Sequence, residues 1–496
     1  MISAVCWVPK GASKVVPLVA EPPSKEEIEE VLRTGVLERK GDIDEEEDEC
    51  MDVDDAPEVL DEVSIARAAT KALNQVQAGR ESRDLQAVSV GIEELNMDAY
   101  DDEDDGIELF ASGIGDTYYP SNDMDPYLQN KGDDEDDDDD EIEDMTIKPT
   151  DSVIVCARNE DEVSHLEVWI FEDSGDGDSN MYVHHDVILP AFPLCTAWLD
   201  CNLKGGDKGN FLAVGSLEPA IEIWDLDLID EVQPFLVLGG VSNKKKKNKK
   251  KSVIYRKDSH KDSVLGLAWN KEVRNVLASA SADKSVKIWD VVTGKCVATT
   301  AHHSDKVQSV AWNRFSPELL LSGSFDRSVV MVDGRSINEV SKKWPVMADV
   351  EGLAWDPHAD HSFVVSQENG VVQGFDIRIG SSDGSSFKPV FTLHAHDKAV
   401  SSISYNPCRP NLLATGSTDK TVKLWDLSNS QPSCVASTKP KAGSIFSIAF
   451  SEDNPFLLAV GGHKGKLKIW DVTSEPGIAR SFEKYINKGE GPATSA

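Results

Sequence analysis

Several features that define other protein classes are missing from this chain. No stretch approaches the roughly 20 consecutive apolar residues of a membrane helix. The apolar run over residues 2–8 is short and lacks a basic start and a cleavage site, so we expect no secretory signal. The eight cysteines are scattered without a C-x-x-C pair. This distribution favours free thiols in a reducing compartment over disulfides or a zinc site.

Motifs of common enzymes are missing as well. Residues 461–466 (GGHKGK) do not have the spacing of a phosphate-binding loop, and no G-x-S-x-G nucleophile turn occurs. The neighbouring histidines His184 and His185, like His302 and His303, lack partners at metal-ligand spacing. The sequence therefore predicts no catalytic residues, no metal site and no bound cofactor.

Positive charge is scarce. The chain has 50 Lys and Arg against 88 Asp and Glu, and a net charge of −38. Residues 21–145 account for nearly all of this imbalance, with 44 acidic and 9 basic residues. The densest blocks are residues 42–55 (DIDEEEDECMDVDD) and 133–144 (DDEDDDDDEIED). Such blocks repel themselves and bury too little apolar surface to fold, so we expect a largely disordered segment here.

The chain is rich in one pattern, a periodic recurrence of tryptophan. Ten of the 11 tryptophans fall into two series, and from Trp269 onward the second series follows the first by 20 residues in every repeat. A fixed offset within repeats of 43 to 50 residues indicates a β-propeller with one four-stranded blade per repeat. The first series is Trp7, Trp198, Trp269, Trp312, Trp355, Tyr405 and Phe450, and the second is Trp169, Trp224, Trp289, Val332, Phe375, Trp425 and Trp470.

The local sequences resemble WD40 repeats. Segments such as VSSISYN alternate apolar and polar residues like half-buried strands, and segments such as VKIWDV contain Trp-Asp near their end. The resemblance implies a buried network that joins His, Ser or Thr, Asp and Trp within a blade, which we expect to be structural because buried polar groups persist when hydrogen-bonded. The matching residues are His260, Ser279, Asp283 and Trp289 in blade three, His396, Thr415, Asp419 and Trp425 in blade six, and His303, Ser322 and Asp326 with Val332 in blade four.

The first strand of the ring lies at the N-terminus. Residues 2–11 (ISAVCWVPKG) match the first-strand pattern, but the partner Trp169 follows Trp7 only after a long insertion. We predict an all-β, seven-bladed WD40 propeller with this acidic insertion inside blade one, closed by strand pairing between blades one and seven. The predicted boundaries are 1–11 for the first strand, 12–149 for the insertion with helices at 24–40 and 63–77, 150–488 for the remaining propeller, and 489–496 for a disordered tail.

Two interpretations of the insertion are open. It is either a solvating loop or a polyanion that binds basic proteins such as histones and ribosomal proteins, because its field attracts cations. Partner-binding candidates in its densest block are Asp136, Asp137, Asp138, Asp139 and Asp140. The aromatic stretch at 107–130 is a candidate for docking. Ser24 has an acidic residue three positions later and is a phosphorylation candidate.

A lysine run stands between blades two and three. We read it as a nuclear localisation signal; the alternatives are a solvated loop, a nucleic-acid contact, or a segment that folds back on the acidic insertion. No aromatic residues interleave with these lysines, so base stacking is not indicated. The run consists of Lys244, Lys245, Lys246, Lys247, Lys249, Lys250 and Lys251.

Taken together, the chain resembles the periodic tryptophan protein 1 family. The resemblance rests on AVCWVPKG near the N-terminus, the acidic insertion, NDMDPYLQN at its end, the lysine run, and the blade endings MVDGR and GFDIR. It implies a non-enzymatic, monomeric scaffold protein of the nucleus and nucleolus that does not bind membranes. Its expected role is ribosome biogenesis and ribosomal RNA transcription or processing with chromatin association, among pre-ribosomal or chromatin complexes.

A second functional class is also compatible with the sequence. Asp333–Gly334–Arg335 and Asp376–Ile377–Arg378 end the third strands of consecutive blades. They resemble the D-x-R ending of propellers that deliver substrates to cullin-4 ubiquitin ligases, in which the arginine contacts the adaptor. Val332 and Phe375 replace the usual tryptophan before these motifs, and the arginines are equally able to pair with nearby carboxylates.

Overall fold

The fold is taken from a computed structural model, and the insertion lies almost wholly outside the residues it describes. The predicted helices, Ser24, Asp136–Asp140, the 107–130 stretch and the lysine run are therefore not described. All described residues belong to one compact unit formed by Met1–Ile28 and Asp138–Ala496. The described residues are 1–20, 145–160, 163–173, 179–205, 208–241, 255–337, 339–379, 388–428 and 431–478.

The first three blades are antiparallel four-stranded sheets, and a short parallel pair lies beside them. Blade one has the strand order β1-β3-β4-β5, blade two β6-β7-β8-β10, and blade three β11-β12-β13-β14, while β2 pairs with β9. The strands are β1 (Ile2–Val8), β2 (Leu18–Val19), β3 (Ser152–Glu160), β4 (Val163–Asp173), β5 (Ser179–Leu189), β6 (Pro193–Leu199), β7 (Phe211–Ser216), β8 (Ala220–Asp225), β9 (Leu228–Ile229), β10 (Leu236–Gly239), β11 (Val264–Trp269), β12 (Val276–Ser281), β13 (Val286–Asp290) and β14 (Lys295–Thr300).

Blades four to six repeat this order, and the described part of blade seven has three strands. A short 3₁₀ helix, Val472–Ser474, follows the last strand. The remaining strands are β15 (Val307–Trp312), β16 (Leu319–Ser324), β17 (Ser328–Asp333), β18 (Val340–Pro345), β19 (Val350–Trp355), β20 (Ser362–Gln367), β21 (Val371–Asp376), β22 (Phe391–His394), β23 (Ser402–Tyr405), β24 (Leu412–Gly416), β25 (Val422–Asp426), β26 (Ser433–Thr438), β27 (Ile445–Phe450), β28 (Leu457–Gly462) and β29 (Lys468–Asp471).

Burial within each blade follows the position of the strand. The second strands, such as β12 (VLASAS) and β28 (LLAVGG), are almost entirely buried, because neighbouring blades cover both of their faces. The outer strand β14 (KCVATT) instead alternates between exposed and more buried side chains, as expected where one face meets water. The small residues of the second strands leave room for this close face-to-face packing. The predicted seven-bladed all-β propeller is confirmed.

Ring closure differs from the prediction. The inner strands contact one another in cyclic order, and β1 lies between β27 of blade seven and β6 of blade two. However, β1 pairs with β3 inside its own blade, and no strand of blade one joins the described sheet of blade seven. Closure there uses side chains: the Trp7 indole N–H donates to the Ala449 carbonyl (2.9 Å), and the Val5 N–H donates to Ser447 Oγ (3.1 Å). Among the described residues, blades one and seven are therefore joined by these hydrogen bonds and not by the strand pairing that was expected.

The physical reason is the place that the N-terminal segment takes in its blade. Because it supplies the innermost strand of blade one, its free edge faces the channel and cannot complete an outer sheet edge of blade seven. The repeat pattern places the fourth strand of blade seven near residues 477–485, which lie mostly outside the described residues, and the described Gly477 and Ile478 are helical.

Both ends of the insertion are attached to the ring. The Ile147 N–H donates to the Val15 carbonyl (2.7 Å), which joins the outgoing and the returning segment. Strand β2 pairs in parallel with β9 of blade two, so that Leu18 lies opposite Leu228. The side chain of Ile147 is only 6% exposed and packs in the core that blades one and two share.

The meander of each blade gives the ring two chemically different faces. Consecutive connections of an antiparallel sheet lie at alternate ends, so first-to-second and third-to-fourth connections share one face. We call this the insertion face, because residues 9–20 and 145–151 lie on it. The opposite face, here the turn face, carries the second-to-third strand turns, such as residues 282–285, and the links between blades.

Candidate functional site

The network in blade three joins the four residues that the WD40 resemblance implied. The Trp289 indole N–H donates to Ser279 Oγ (2.8 Å), and Ser279 Oγ lies 2.7 Å from His260 Nε2. His260 Nδ1 lies 3.0 Å from Asp283 Oδ2. Since an indole only donates and a carboxylate only accepts, the protons run in one direction, from Trp289 through Ser279 and the neutral His260 to Asp283.

Blade six repeats this arrangement with a threonine. Trp425 Nε1 donates to Thr415 Oγ1 (2.9 Å), which lies 2.7 Å from His396 Nε2, and His396 Nδ1 lies 2.9 Å from Asp419 Oδ2. All these contacts lie inside the blade.

In blade four the hydrogen-bond network stops short of the tryptophan position. His303 is 2.9 Å from Ser322 Oγ and 3.0 Å from Asp326 Oδ2. Val332 occupies the tryptophan position, is 4% exposed, and has no group to donate. The network therefore lacks one of its hydrogen bonds, as the sequence implied.

Burial determines the protonation of these groups. It lowers the pKa of His260 below its usual value, although Asp283 acts in the opposite direction. Burial acts to raise the pKa of Asp283, but hydrogen bonds from His260, Ser285 and the Lys261 N–H outweigh it and hold that pKa low. A neutral histidine beside an ionised aspartate is thus the state that the network stabilises, and the groups are engaged with one another rather than open to a substrate.

Blades one and two use a different partner for tryptophan, which sequence reasoning missed. Trp169 Nε1 donates to Glu167 Oε2 (2.9 Å), and Trp224 Nε1 donates to Glu222 Oε2 (3.2 Å). Arg158 Nη1 lies 2.7 Å from Glu167, whereas burial raises the pKa of Glu222 to about 7. The sequence does carry a signal for this different partner: blades one and two have Glu-x-Trp, whereas blades three, six and seven have Lys-x-Trp.

The first tryptophan series surrounds the channel at the insertion face. A cavity of about 270 Å³ is lined by Trp7, Trp198 and Trp269 with Phe450. Each indole N–H is engaged: Trp198 donates to Asn210 Oδ1 (2.9 Å) and Trp269 to the Arg274 carbonyl (2.8 Å). The Trp198 and Trp269 bonds lie within their own blades, whereas Trp7, Trp312 and Trp355 donate to a backbone carbonyl of the neighbouring blade and so join blades.

The two D-x-R arginines lie exposed on the same insertion face. Arg335 and Arg378 each chelate the aspartate two residues earlier, with Nη2–Oδ2 distances of 2.7 Å to Asp333 and Asp376. Their side chains remain 72% and 65% exposed, respectively. Each arginine is thus paired with a nearby carboxylate and is still accessible from solvent.

An apolar groove lies beside Arg335, between blades three and four. It encloses about 390 Å³, and Glu318, which is 3.6 Å from Arg335, is one of its few polar walls. The groove is lined in addition by Val273, Val276, Ile288, Val297, Pro317 and Ile337.

The described part of the chain shows neither a cluster of His, Cys, Asp and Glu suited to a metal ion nor a helix that is long and apolar enough to cross a membrane. The lysine run lies outside the described residues. Val241 and Tyr255, the described residues that flank it, form an antiparallel bridge between blades two and three, on the turn face.

Comparison with known proteins agrees with this architecture. The family model "WD domain, G-beta repeat" matches residues 387–426 and 432–471, and the model "Anaphase-promoting complex subunit 4 WD40 domain" matches 245–314. An uncharacterised WD repeat-containing protein of Schizosaccharomyces pombe is 45% identical over 359 residues, which cover 71% of this chain and 67% of that protein. Periodic tryptophan protein 1 of Saccharomyces cerevisiae is 32% identical over 501 residues, which cover 90% of this chain and 83% of that protein. The chain belongs to the periodic tryptophan protein 1 family.

The family assignment extends to animals. The periodic tryptophan protein 1 homolog of Drosophila melanogaster is 27% identical over 435 residues, which cover 87% of this chain and 84% of that protein. This chain has the WD40 scaffold fold. Trp7, Trp312 and Trp355 join neighbouring blades, and Trp289 and Trp425 donate to the blade networks.

Proposed function

We propose that this member of the periodic tryptophan protein 1 family is a non-enzymatic scaffold of the nucleus and nucleolus. In this proposal it acts in ribosome biogenesis and in ribosomal RNA transcription or processing, with chromatin association. Its clients are basic proteins, namely histones and ribosomal proteins, which the acidic insertion holds. Family membership and the scaffold fold support the proposal.

The observation that carries the proposal is the attachment of the insertion. Its two ends meet at Val15 and Ile147 on one face of a rigid ring, and 44 of its residues in 21–145 are acidic. A polyanion held at one face attracts basic clients by its field and keeps them beside the ring, where specific contacts are made. The attraction is screened by salt over about 8 Å at physiological ionic strength.

Purification from nuclear extract tests the proposal. The tagged full chain, a chain without residues 21–144, and a chain in which the acids of 133–144 (Asp136–Asp140 included) are replaced by their amides are compared by mass spectrometry. We expect histones, ribosomal proteins or pre-ribosomal factors with the full chain, fewer with the amide chain, and none with the deletion. Retention of the same basic partners by all three chains would contradict the role of the insertion.

Localisation is tested at the lysine run. Replacing Lys244–Lys247 and Lys249–Lys251 by glutamine is expected to shift a fluorescent fusion from the nucleus to the cytoplasm, because import receptors read clustered positive charge. A matched fusion in which seven lysines elsewhere on the ring are replaced is the control. An unchanged nuclear signal would contradict the assignment of the run.

The exposure of Arg335 and Arg378 favours a second candidate, a substrate receptor of a cullin-4 ubiquitin ligase. Two exposed arginines on consecutive blades of one face offer a partner two charges in a fixed arrangement. Reversing both to glutamate is expected to abolish adaptor binding if this candidate holds, whereas Lys208→Glu with Lys295→Glu on the same face is the control. Unchanged adaptor binding, or no adaptor at all, rejects it.

A further inference from the structure

We propose that the turn face of blades six and seven binds the phosphate backbone of single-stranded RNA. We call its basic side chains the lysine patch. The choice of RNA over DNA rests on the proposed function, whereas the site rests on geometry and charge. The patch consists of Lys398, Lys420, Lys439, Lys441, Lys464 and Lys466.

The loops that carry the patch are bonded to one another in a row. Ser417 Oγ donates to the Lys398 carbonyl (3.3 Å), and the Ile445 N–H donates to the Ser417 carbonyl (3.1 Å). The Lys464 N–H donates to the Ala442 carbonyl (2.9 Å). Two turns and two links between blades therefore form one continuous surface, and the six lysines on it hold fixed relative positions at their Cα atoms.

The positive charge of the patch is not neutralised locally. All six lysines are exposed, and none forms an ion pair with a carboxylate of the described residues. Two acids lie among them, Asp419, which His396 and Thr421 hydrogen-bond inside the blade, and the exposed Asp397. Six lysines against two acids leave four positive charges in excess, and such a cluster produces a field that attracts polyanions.

Equivalent basic residues in other blades are engaged, which sets the patch apart. Lys284 in the blade-three turn donates to the Ser304 carbonyl (2.8 Å), and Arg327 in the blade-four turn pairs with Asp349 (3.2 Å). These two side chains hold the ring together. The lysines of blades six and seven occupy the same kind of loop without such partners.

Two rings lie within the patch and suit a single strand. Phe446 and His463 meet edge to face, with centroids 6.4 Å apart, and His463 directly precedes Lys464. Aromatic rings beside a cationic groove are the usual means of holding unpaired bases, since each base offers a π face. A double helix would shield its bases from these rings, so a single strand fits better.

Direct binding of a labelled oligonucleotide to the purified full chain tests the proposal. Fluorescence anisotropy with a uridine-rich RNA of about 12 nucleotides is recorded over a series of salt concentrations. In the patch variant, Lys439, Lys441, Lys464 and Lys466 are each replaced by glutamine. We expect at least about a tenfold loss of affinity and a salt slope shallower by about 3, because each phosphate contact adds roughly 0.7 for a single strand.

The control variant removes the same charge from the insertion face. Lys208, Lys295, Arg314 and Lys388, all exposed, are replaced by glutamine, and the RNA affinity is expected to stay within about twofold of the unaltered chain. Both variants keep the lysine run, so its non-specific contribution cancels. Circular dichroism and thermal unfolding establish that both are folded.

Three results would overturn the proposal. The first is an equal loss in the patch and control variants, and the second is equal affinity for a double-stranded RNA of the same length. The third is carbodiimide cross-linking of the patch to Asp136–Asp140 in a full chain that binds no RNA, which would make the chain's own insertion the polyanion. None of these bears on the retention of basic partners by the insertion, so failure here and failure of the proposed function are distinguishable.

Discussion

At the scale of single residues, the tryptophans of the second series donate to two different kinds of hydrogen-bond partner. In blades three and six the indole begins a hydrogen-bond chain that ends at a half-buried aspartate, whereas in blades one and two it donates to a glutamate. Buried polar groups are costly unless paired. The stability of each blade therefore depends on the partner of its tryptophan as well as on the area that the ring buries.

Truncating a network tryptophan should be strongly destabilising. Trp289→Ala and Trp425→Ala are each expected to lower the free energy of unfolding by about 3–5 kcal/mol, as large aromatic truncations do in cores. Trp289→Phe keeps most of the packing but loses the hydrogen bond to Ser279, so a loss of about 1–2 kcal/mol is expected. Urea unfolding measures all three, and an equal loss for the Ala and Phe variants of Trp289 would show that the indole N–H dominates.

Replacing the glutamates of blades one and two by glutamine should change the free energy of unfolding in opposite directions. Burial raises the pKa of Glu222 to about 7 from 4.5, so the folded state holds a proton that the unfolded state has lost. This group costs stability increasingly as pH rises from 4.5 to 7, and fully above that. Glu222→Gln is therefore expected to stabilise the protein by about 1 kcal/mol at pH 8 and by less at pH 5.

Glu167→Gln is the matched control for that variant. It removes the partner of Arg158, with which Glu167 makes a 2.7 Å contact, so we expect destabilisation at both pH values. Urea unfolding at pH 5 and pH 8 compares the two. A stabilisation by Glu222→Gln that does not depend on pH would contradict the role assigned to burial.

At the scale of elements, the N-terminal strand is an inner wall of the ring. Its first apolar side chain, Ile2, is fully buried, and Trp7 and Val5 bond to blade seven. A segment with the position of a dispensable tail is thus part of the core. The sequence revealed this strand through its alternation and its tryptophan, although its partner strand begins only at Ser152.

Deleting residues 1–10 is accordingly expected to abolish the cooperative thermal transition. The lost strand leaves the β3 edge unpaired and opens the core between blades one and seven. Deleting residues 489–496, predicted to be a tail, is the control and should leave the transition in place. Supplying a peptide of residues 1–20 to a chain of 145–496 should restore it, and a folded protein without that peptide would contradict the inner-wall role.

The elements also show how far sequence reasoning reaches. The number of blades could be predicted from the sequence. The spacing between the two tryptophan series and the length of the repeat are both distances along the chain, and both are regular from Trp269 onward. The mode of closure was missed because the edge to which a strand bonds depends on the ring as a whole. The Glu167 and Glu222 pairs were missed although Glu-x-Trp was visible, since only burial reveals that the carboxylate takes the place of a serine. The apolar groove and the lysine patch arise from residues distant in sequence, and no local pattern marks them.

At the scale of the whole molecule, charge is separated. The insertion carries nearly all the net charge of −38 and is attached to one face, while the lysine patch lies on the other. Two oppositely charged partners, a basic protein and a nucleic acid, could thus be held on one ring without competing for the same surface. This arrangement unites the proposed function with the RNA-binding inference.

The ring should fold without the insertion. In a chain where a short Gly-Ser linker replaces residues 21–144, the anchoring contacts of Val15, Leu18 and Ile147 remain. We expect the free energy of unfolding to change by less than about 1 kcal/mol, which shifts Tm by roughly 2–4 °C at most. Differential scanning calorimetry measures this. Aggregation or loss of the transition would mean that the insertion contributes to the propeller itself.

The position of the first strand has a consequence for how the protein is made. Val8 leaves the synthesising ribosome well before Ser152, and at roughly 5–20 residues per second its partner strand follows only after about 10–30 s. Ala449, to which Trp7 donates, comes 442 residues later. The apolar segment made first therefore waits unpaired until β3 is made, and its side toward blade seven stays uncovered until almost the last blade is complete. Biosynthesis of this ring thus leaves one side of an apolar N-terminal strand exposed for most of translation, where a chaperone that shields those first few residues would raise the yield.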